Sequence, residues 1–342
     1  MNNFYNFVLK ILDIMIGDTK SKIGSILLFA GSALQMSFVI EPEKYTLVIG
    51  GGTDIFSMLL ILIGISLLLH RYITIKNDSI TLFYGATLSN MNNKSPESAL
   101  PRREKYKTIV KNLKRINSYN KDELLDDYKF NKTLLGERIE NKESVKVYIA
   151  ALGSFPYLFL LGSLARNAYS NVKFLDYNRY KDGGEWYILP PFRTTNNQLT
   201  HKLLYNQDST TIEDEINRIN KNDADVGIAL GYTFPVKKEV IPIPLQNNTL
   251  YLTASEETRH DILSSEEFQE ILLKDISYYL NSLSKPNRNI HLFVSAQASM
   301  CMNIGKHYMD NAHGSIILHN YNNETKTHDW SIKFHKGVVR CC

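Results

Sequence analysis

The sequence has little cysteine and none of the short motifs that mark nucleotide hydrolases or zinc enzymes. Its three cysteines, among 342 residues, are too few for a disulfide framework, and no histidine pair shows a metal-ligand spacing. The patterns G-x-x-x-x-G-K-[ST] and G-x-G-x-x-G are missing, so there is no P-loop and no dinucleotide fingerprint. No G-x-S-x-G nucleophile motif is present either. We therefore expect no metal, no cofactor and no enzymatic activity.

A strong charge of either sign is also lacking. The chain has 39 Lys and Arg against 35 Asp and Glu, a net charge of +4. This is too mild for a surface that binds DNA or RNA polymers as a whole. An anionic partner is therefore expected to bind at a local patch.

What the sequence does have is two long apolar runs near its N-terminus. Ile23–Ile40 has no charged residue, and Tyr45–Leu69 has only Asp54. Each run approaches the roughly 20 residues that cross a hydrocarbon core. We predict two transmembrane helices; a buried helical hairpin in a soluble core is the alternative. For Asp54, which follows three glycines, capping of the second helix and an ion or gating role both stay open.

Basic residues surround the pair of apolar runs. They lie before the first run and after the second, whereas the loop Glu41–Lys44 holds two acids and one lysine. The flanking basic residues are Lys10, Lys20, Lys22, Arg71 and Lys76. Because Lys and Arg near membrane spans stay on the cytoplasmic side, we predict that both termini are cytoplasmic.

Two further segments are expected to contact lipid. Apolar residues between Phe4 and Met15 recur at helical spacing, which predicts a helix in the membrane interface or one packed on the soluble domain. Arg102–Arg115 is a basic run that is predicted to be helical. It either binds anionic lipid headgroups or is the solvent-exposed face of a helix. We divide the chain into a membrane region 1–76, a basic connector 77–143 and an α/β domain 144–342.

A strand–turn–helix–strand pattern occurs twice in the α/β domain. The first copy is predicted as a strand, helix and strand at Val145–Leu152, Tyr157–Tyr169 and Val172–Tyr177. The second copy is predicted as a strand, helix and strand at Ile290–Ser295, Ala298–Met309 and Ser315–Asn320. This repeat predicts an α/β fold of two Rossmann-like halves related by a pseudo-two-fold axis. Ligands of such folds bind at the carboxyl ends of the strands.

Candidate ligand contacts follow these strands. Small or hydrogen-bonding turn residues are Gly153, Ser154, Ser295, Ala296 and Gln297, and the adjoining Phe155 is also a candidate contact. Aromatic residues that could stack on a base are Tyr177, Trp186, Tyr187 and Tyr232. Trp186 is the first choice because it follows the polar loop 181–184, although a core role is equally compatible. Candidate phosphate contacts are Arg179, Lys181 and Arg193, and Thr233, Gln297 and Ser299 could bond base edges or sugars.

Two stretches of the α/β domain resemble a known family. His291-Leu292-Phe293-Val294-Ser295-Ala296-Gln297-Ala298, followed by Asn303–Lys306, Ile316–Tyr321 and Trp330–Ile332, resembles the closing motif of SAVED domains. Val147–Gly153 with Leu160-Leu161-Gly162 is similar to their first half. SAVED domains are fused pairs of CARF-like halves that bind cyclic oligonucleotides in bacterial anti-phage signalling. Tyr321 joins the ligand candidates through this match.

With its two predicted spans, the chain resembles a 2TM-SAVED effector of the CBASS type. The resemblance implies a receptor in the bacterial inner membrane that binds a cyclic di- or trinucleotide, forms homo-oligomers and disrupts the membrane in abortive infection. The family's usual small, often Gly-Pro-containing turn is Ser295–Ala298 here, so the position of the site carries over and its hydrogen bonds are left open. A membrane-anchored cyclic-nucleotide phosphodiesterase and a ligand-free membrane scaffold are the alternatives.

Overall fold

The computed structural model divides into two units. It describes residues 19–41, 44–49, 55–77, 80–86, 95–105, 108–114, 121–139, 146–166, 171–179, 184–192, 199–205, 210–255, 263 and 265–342. The first unit comprises the chain up to Ile80 together with Pro101–Ile109. The second unit comprises Thr81–Leu100 and Val110–Cys342.

The first unit contains helices and a β-hairpin. Its elements are α1 (Thr19–Gln35), β1 (Met36–Glu41), β2 (Lys44–Ile49), α2 (Ile55–Asn77) and α3 (Arg102–Lys105). β1 and β2 pair antiparallel. The first apolar run is therefore helical only as far as Gln35, and the second begins as a strand, which differs from the two continuous helices predicted. Both strand segments are rich in β-branched and aromatic residues, which favour an extended backbone.

Two glycines allow α1 and α2 to approach closely. A Cβ atom on Gly64 would lie 2.8 Å from both the carbonyl oxygen of Gly24 and the backbone nitrogen of Leu28. The opposite faces of these helices leave large apolar side chains exposed, among them Ile26 and Leu62. Within the described residues, no helix has both the length and the hydropathy of a membrane span. The predicted helix Phe4–Met15 and Asp54 lie outside the described residues.

The predicted helix over the basic run Arg102–Arg115 is wrong. The chain forms the four-residue helix α3 and then the strand β4 (Thr108–Asn112). Thr108, Ile109 and Val110 explain the difference, because three successive β-branched residues favour a strand over a helix.

The second unit is built on two sheets. The first sheet has the order β4-β3-β5-β6-β7, with β3 at Ile80–Ala86, β5 at Lys146–Leu152, β6 at Asn171–Asn178 and β7 at Glu185–Ile188. The second has the order β14-β13-β12-β11-β9-β10-β8. Its strands are β8 (His201–Leu203), β9 (Val226–Gly231), β10 (Thr249–Ala254), β11 (Asn289–Ser295), β12 (Ser315–Asn322), β13 (Thr327–His335) and β14 (Val338–Cys341).

Helices connect and cover these strands. They are α4 (Lys121–Ile139), α5 (Phe155–Leu164), α6 (Ile212–Ile219), α7 (Ile243–Gln246), α8 (Glu266–Leu283) and α9 (Ala298–His307), with 3₁₀ turns at Pro96–Ala99 and Lys238–Val240. β5 and β6 are parallel neighbours joined through α5, and β11 and β12 are parallel neighbours joined through α9. Both predicted strand–helix–strand units are thus confirmed. α5 begins at Phe155, earlier than predicted, because Pro156 suits the first turn of a helix.

α5 and α9 pack against each other through a reciprocal contact. A Cβ atom on Gly162 would overlap the carbonyl oxygen of Met302, and one on Gly305 would overlap the carbonyl oxygen of Phe159. Gly162 and Gly305 are each the eighth residue of their helix, while Phe159 and Met302 are each the fifth. The eighth residue of each helix therefore contacts the fifth residue of the other, as a pseudo-two-fold axis between the halves requires.

We expect Gly162→Ala and Gly305→Ala each to destabilise the chain. A methyl group at either position would force the two backbones apart, and overpacking of this kind typically costs about 1 to 3 kcal/mol. Urea or thermal unfolding of the full chain measures the effect. His307→Ala, at an exposed position of α9, is the control. Unchanged unfolding midpoints for both glycine variants would contradict this role of the helix contact.

Candidate functional site

In the first half, the carboxyl ends of β5 and β6 lie side by side. The parallel register sets Ala150 opposite Leu175, so Leu152 and Tyr177 end at the same edge. Gly153 follows β5 and is exposed, and Ser154 is the N-cap of α5. The Ser154 hydroxyl makes no capping hydrogen bond. Phe155, the first residue of α5, is buried.

In the second half, the carboxyl ends of β9 and β11 are held together by hydrogen bonds. The Tyr232 and Thr233 backbone nitrogens donate to the Ser295 carbonyl oxygen over 2.9 and 3.1 Å. The Thr233 and Ser295 hydroxyl oxygens lie 2.9 Å apart. Ala296 and Gln297 then lead into α9, and Tyr321 lies near the end of the neighbouring strand β12. Two predicted turn and hydroxyl candidates are thus in direct contact.

A buried carboxylate joins the two halves at this edge. Asp176 of β6 accepts hydrogen bonds from the Ser299 backbone nitrogen over 2.8 Å and from the Ser299 hydroxyl over 2.5 Å. Ser299 is the second residue of α9, so the N-terminus of α9 lies at the carboxyl end of β6. The Gln269 side-chain nitrogen donates to the Ser299 oxygen over 2.6 Å, and Asn303 donates to Gln269 over 2.7 Å. The candidate residues of both halves therefore lie along one edge.

Burial dominates the electrostatics of this carboxylate. Asp176 is 2% exposed, and its burial raises the pKa of the carboxyl group to about 6. The two hydrogen bonds from Ser299 act in the opposite direction because they favour the charged form. The N-terminus of α9, where the positive end of the helix dipole would favour an anion, is thus already occupied by the Asp176 carboxylate.

Gln297 forms a second bridge between the halves. Its side-chain nitrogen donates to the Tyr187 hydroxyl over 3.1 Å, and its side-chain oxygen accepts from the Leu263 backbone nitrogen over 3.0 Å. Tyr187 belongs to β7 of the first half. The polar groups of Gln297 are therefore engaged in positioning β7 and residue 263.

The predicted aromatic contacts differ in exposure. Trp186 is 1% exposed and lies edge-on to Tyr84 and Tyr177, with ring centroids 5.9 and 5.2 Å apart. Tyr232 is fully buried, and its hydroxyl lies 2.6 Å from a His201 ring nitrogen. Neither ring presents a face to solvent in this structure, so their stacking role stays a prediction. Sequence position beside a polar loop did not reveal the burial of Trp186.

The partly accessible aromatic candidates are Tyr321, Tyr177 and Tyr187. Tyr321 is 40% exposed and packs edge-on against His328 with centroids 5.4 Å apart. Tyr177 is half-buried. The predicted cation Arg179 follows β6 and is exposed, whereas Lys181 and Arg193 lie outside the described residues. Among the described residues, no group of His, Cys, Asp and Glu side chains is arranged to hold a metal ion.

Sequence reasoning missed Asp176 and Gln269. A signal for Asp176 was present, since it interrupts the apolar run of a predicted strand between Leu175 and Tyr177. An aspartate at such a position is expected to be paired or hydrogen-bonded when buried. Gln269, on the buried face of α8, gave no comparable signal.

Two Rossmann-like halves that meet along the carboxyl ends of their strands define a paired α/β domain with a candidate ligand-binding edge. The chain belongs to the SAVED family. Residues 129–334 match the model of the SMODS-associated and fused to various effectors sensor domain. This match covers both halves and confirms the α/β fold of CARF-like units. The match begins within α4, ahead of the predicted boundary at residue 144.

Solved structures similar to the chain include Cap4 SAVED/CARF-domain receptors. The Acinetobacter baumannii receptor with the cyclic trinucleotide 3′3′3′-cAAA has a TM-score of 0.47 and 13% identity, covering 81% of this chain and 59% of that receptor. The same receptor with 2′3′3′-cAAA has a TM-score of 0.45 and 13% identity over 84% and 59%. The Moraxella osloensis receptor has a TM-score of 0.40 and 14% identity over 84% and 57%. The chain thus spans less than two thirds of each receptor. A comparison with curated proteins finds no match.

We expect Asp176→Asn to change how stability depends on pH. Folding raises the pKa of Asp176 from 3.8 to about 6, so the wild-type chain loses stability as its carboxyl ionises between these values. The asparagine variant lacks this loss. Its free energy of unfolding relative to wild type should therefore rise by about 2 to 3 kcal/mol from about pH 4 to about pH 7.

Denaturant unfolding across this pH range provides the measurement. Asp126→Asn, which removes an exposed carboxylate from α4, is the matched control. A constant difference between the Asp176 variant and wild type at all pH values would disprove the raised pKa.

Proposed function

We propose that this chain is a receptor for a cyclic oligonucleotide, a di- or trinucleotide, bound where its two halves meet. Membership of a sensor-domain family, with the family match spanning both halves, is the observation that carries the proposal. The contact between Asp176 and the N-terminus of α9 supports the position of the site, because it brings the strand ends of both halves to one edge.

The chemistry of this edge suits a nucleotide. Ser154, Thr233 and Ser295 supply hydroxyl groups that can bond sugars and base edges. The exposed ring of Tyr321 can stack on a base, and Arg179 can contact a phosphate. Because Asp176 already accepts the Ser299 backbone N–H, the phosphates are expected to lie nearer the N-terminus of α5 than that of α9.

We expect Tyr321→Ala to weaken binding of a cyclic nucleotide to the full chain. Loss of one stacking platform costs about 1 to 3 kcal/mol, or roughly 5- to 150-fold in the dissociation constant. Isothermal titration calorimetry with 3′3′3′-cAAA and with cyclic dinucleotides measures the change. The ligand should be recovered intact by chromatography, since a receptor does not cleave it.

Two controls separate stacking from packing. Tyr278→Ala removes a similarly exposed ring from α8, and this variant should bind the cyclic nucleotide with the affinity of wild type. Trp186→Ala removes a ring that is 1% exposed and should lower the melting temperature while leaving the affinity close to that of wild type; a loss of affinity like that of the Tyr321 variant would keep Trp186 among the ligand contacts. Equal affinity of wild type and the Tyr321 variant would remove Tyr321 from the site. Recovery of a linearised nucleotide would favour the phosphodiesterase alternative.

We further propose that the chain acts at the bacterial inner membrane. In this proposal the runs Ile23–Ile40 and Tyr45–Leu69 enter the bilayer through their helical parts, α1 and α2, with both termini in the cytoplasm, and ligand-driven homo-oligomerisation disrupts the membrane. The distribution of lysine and arginine around the runs supports the orientation. Exposed apolar side chains on α1 and α2 support lipid contact: Ile26 is 65% exposed and Phe29 and Leu62 are each 63% exposed.

We expect dye leakage from liposomes only when the full chain and its ligand are both present. Leu62→Arg should reduce leakage strongly, because a buried charge in the bilayer costs about 2.5 to 3.5 kcal/mol on insertion scales, while ligand affinity stays unchanged. Lys129→Arg, at an exposed position of α4, is the control. Leakage without ligand, or undiminished leakage from the Leu62 variant, would contradict the membrane proposal. In cells, a reporter fused after residue 72 should read as cytoplasmic.

A further inference from the structure

A basic groove lies at the amino ends of β11 and β12, away from the edge where the halves meet. Asn289 and Ser315, the first residues of these strands, line it together with the turn 284–288, the loop 310–314 and the β13–β14 hairpin. Its volume is about 870 Å³, within the usual range for small-molecule sites. The candidate nucleotide contacts Ser295 and Tyr321 lie at the other ends of the same two strands.

Three cations of the hairpin face the groove without an acidic partner among the described residues. Lys333 of β13 lies directly opposite Arg340 of β14 in the antiparallel register. Like charges in directly opposed positions destabilise a strand pair. Lys336 stands at the tip, where it and Gly337 both adopt positive φ, as a two-residue hairpin turn requires. An anion bound between these side chains would offset their repulsion.

The single acid that lines the groove does not neutralise these cations. Asp310 is paired with Arg166, whose guanidinium nitrogen lies 2.6 Å from one carboxylate oxygen. Lys285 is likewise engaged, with its amino group 2.9 Å from Asp223. Among the described residues, Lys333, Lys336 and Arg340 therefore carry positive charge without an ion pair, and Arg288, which bonds Asn220 and backbone oxygens, adds a fourth cation to the groove.

Buried polar atoms in the groove also lack hydrogen-bond partners among the described residues. They are the Ser315 hydroxyl oxygen, the Arg288 Nε atom, the His335 Nδ1 atom and one carboxylate oxygen, the Asp310 Oδ1 atom, which is an acceptor and would not contact an anion. Arg288 is 2% exposed, and its other guanidinium nitrogens bond Asn220 and the backbone, so its orientation is fixed. A buried donor left without a partner costs free energy that a ligand with acceptor oxygens would recover.

We propose that this groove binds an anion that carries a phosphate or pyrophosphate group. Such a group presents several acceptor oxygens, which match an ammonium, a guanidinium and a hydroxyl donor at once. Free nucleotides or metabolites and phospholipid headgroups share this chemistry. The site is distinct from the proposed cyclic nucleotide site, although α9 runs between them from Ser299 to the loop that holds Asp310.

Titration of the full chain with inorganic pyrophosphate tests the proposal. Lys333→Gln combined with Arg340→Gln should lower the affinity at least about tenfold, because two charge-assisted contacts are lost. Lys129→Gln combined with Lys274→Gln removes two exposed lysines from α4 and α8 and is the matched control. Binding of 3′3′3′-cAAA should be the same in all three proteins, which separates this site from the nucleotide site.

Ser315→Ala distinguishes a ligand contact from a structural role. Because the Ser315 hydroxyl has no partner among the described residues, its loss should leave the melting temperature unchanged or higher without pyrophosphate. The same variant should show a smaller increase in melting temperature on pyrophosphate addition than wild type. A lower melting temperature without pyrophosphate, together with an undiminished increase, would assign Ser315 to structure and count against the proposal.

Competition in vesicles separates the two sources of the phosphate group. The full chain is reconstituted in phosphatidylcholine vesicles that contain or lack phosphatidic acid, and pyrophosphate is titrated into each. Weaker pyrophosphate binding by wild type in the presence of phosphatidic acid identifies a lipid headgroup, and unchanged binding identifies a soluble ligand. Equal pyrophosphate affinity of wild type and the Lys333 and Arg340 variant, or the same loss in the control variant, would overturn the proposal.

Discussion

The close approach of α5 and α9 is the constraint on which the rest of the second unit depends. Only glycine at positions 162 and 305 lets each helix accept the backbone of the other. Because α9 is held in this contact, its first turn reaches Asp176 of β6 and its last turn leads to Asp310. The edge that holds the candidate nucleotide contacts and the basic groove are thus positioned by one helix.

The hydrogen-bond network at the edge fixes the positions of the elements that this packing brings together. Asp176, Ser299, Gln269 and Asn303 form a chain of hydrogen bonds in which each member is bonded. A buried network of this kind fixes one arrangement of its elements, since a shift would leave a carboxylate or amide unpaired. Gln297 adds a link to Tyr187, so β7 is held to the start of α9 as well.

The repeated units could be predicted from sequence because their strands are mostly apolar and are bounded by turn residues. The lengths of the helices and strands, and local departures from the pattern, were harder to predict. Three β-branched residues in the basic connector determined a strand where charge spacing suggested a helix. Trp186 was placed beside a polar loop by its sequence, yet it lies against Tyr84 and Tyr177, and neither contact is visible in a linear pattern.

The position of the candidate site could be predicted from the sequence better than its side-chain contacts could. The rule that ligands bind at strand carboxyl ends located Thr233 and Ser295, which indeed touch. It could not assign Gln297 and Ser299 to links between the halves, because their partners lie on separate elements far along the chain. Hydrogen bonds between distant segments depend on the packing of whole helices, and this packing is not encoded in any short motif.

The second residue of α9 also determines the symmetry of the domain. The equivalent position of α5 is Pro156, which has neither a backbone N–H nor a hydroxyl, so the Asp176 contact cannot recur in the first half. A dimer of identical subunits would present the same surface twice and favour ligands with a two-fold axis. Fusion into one chain has removed that requirement here. The two halves of the edge therefore present different residues at equivalent positions, here Pro156 and Ser299.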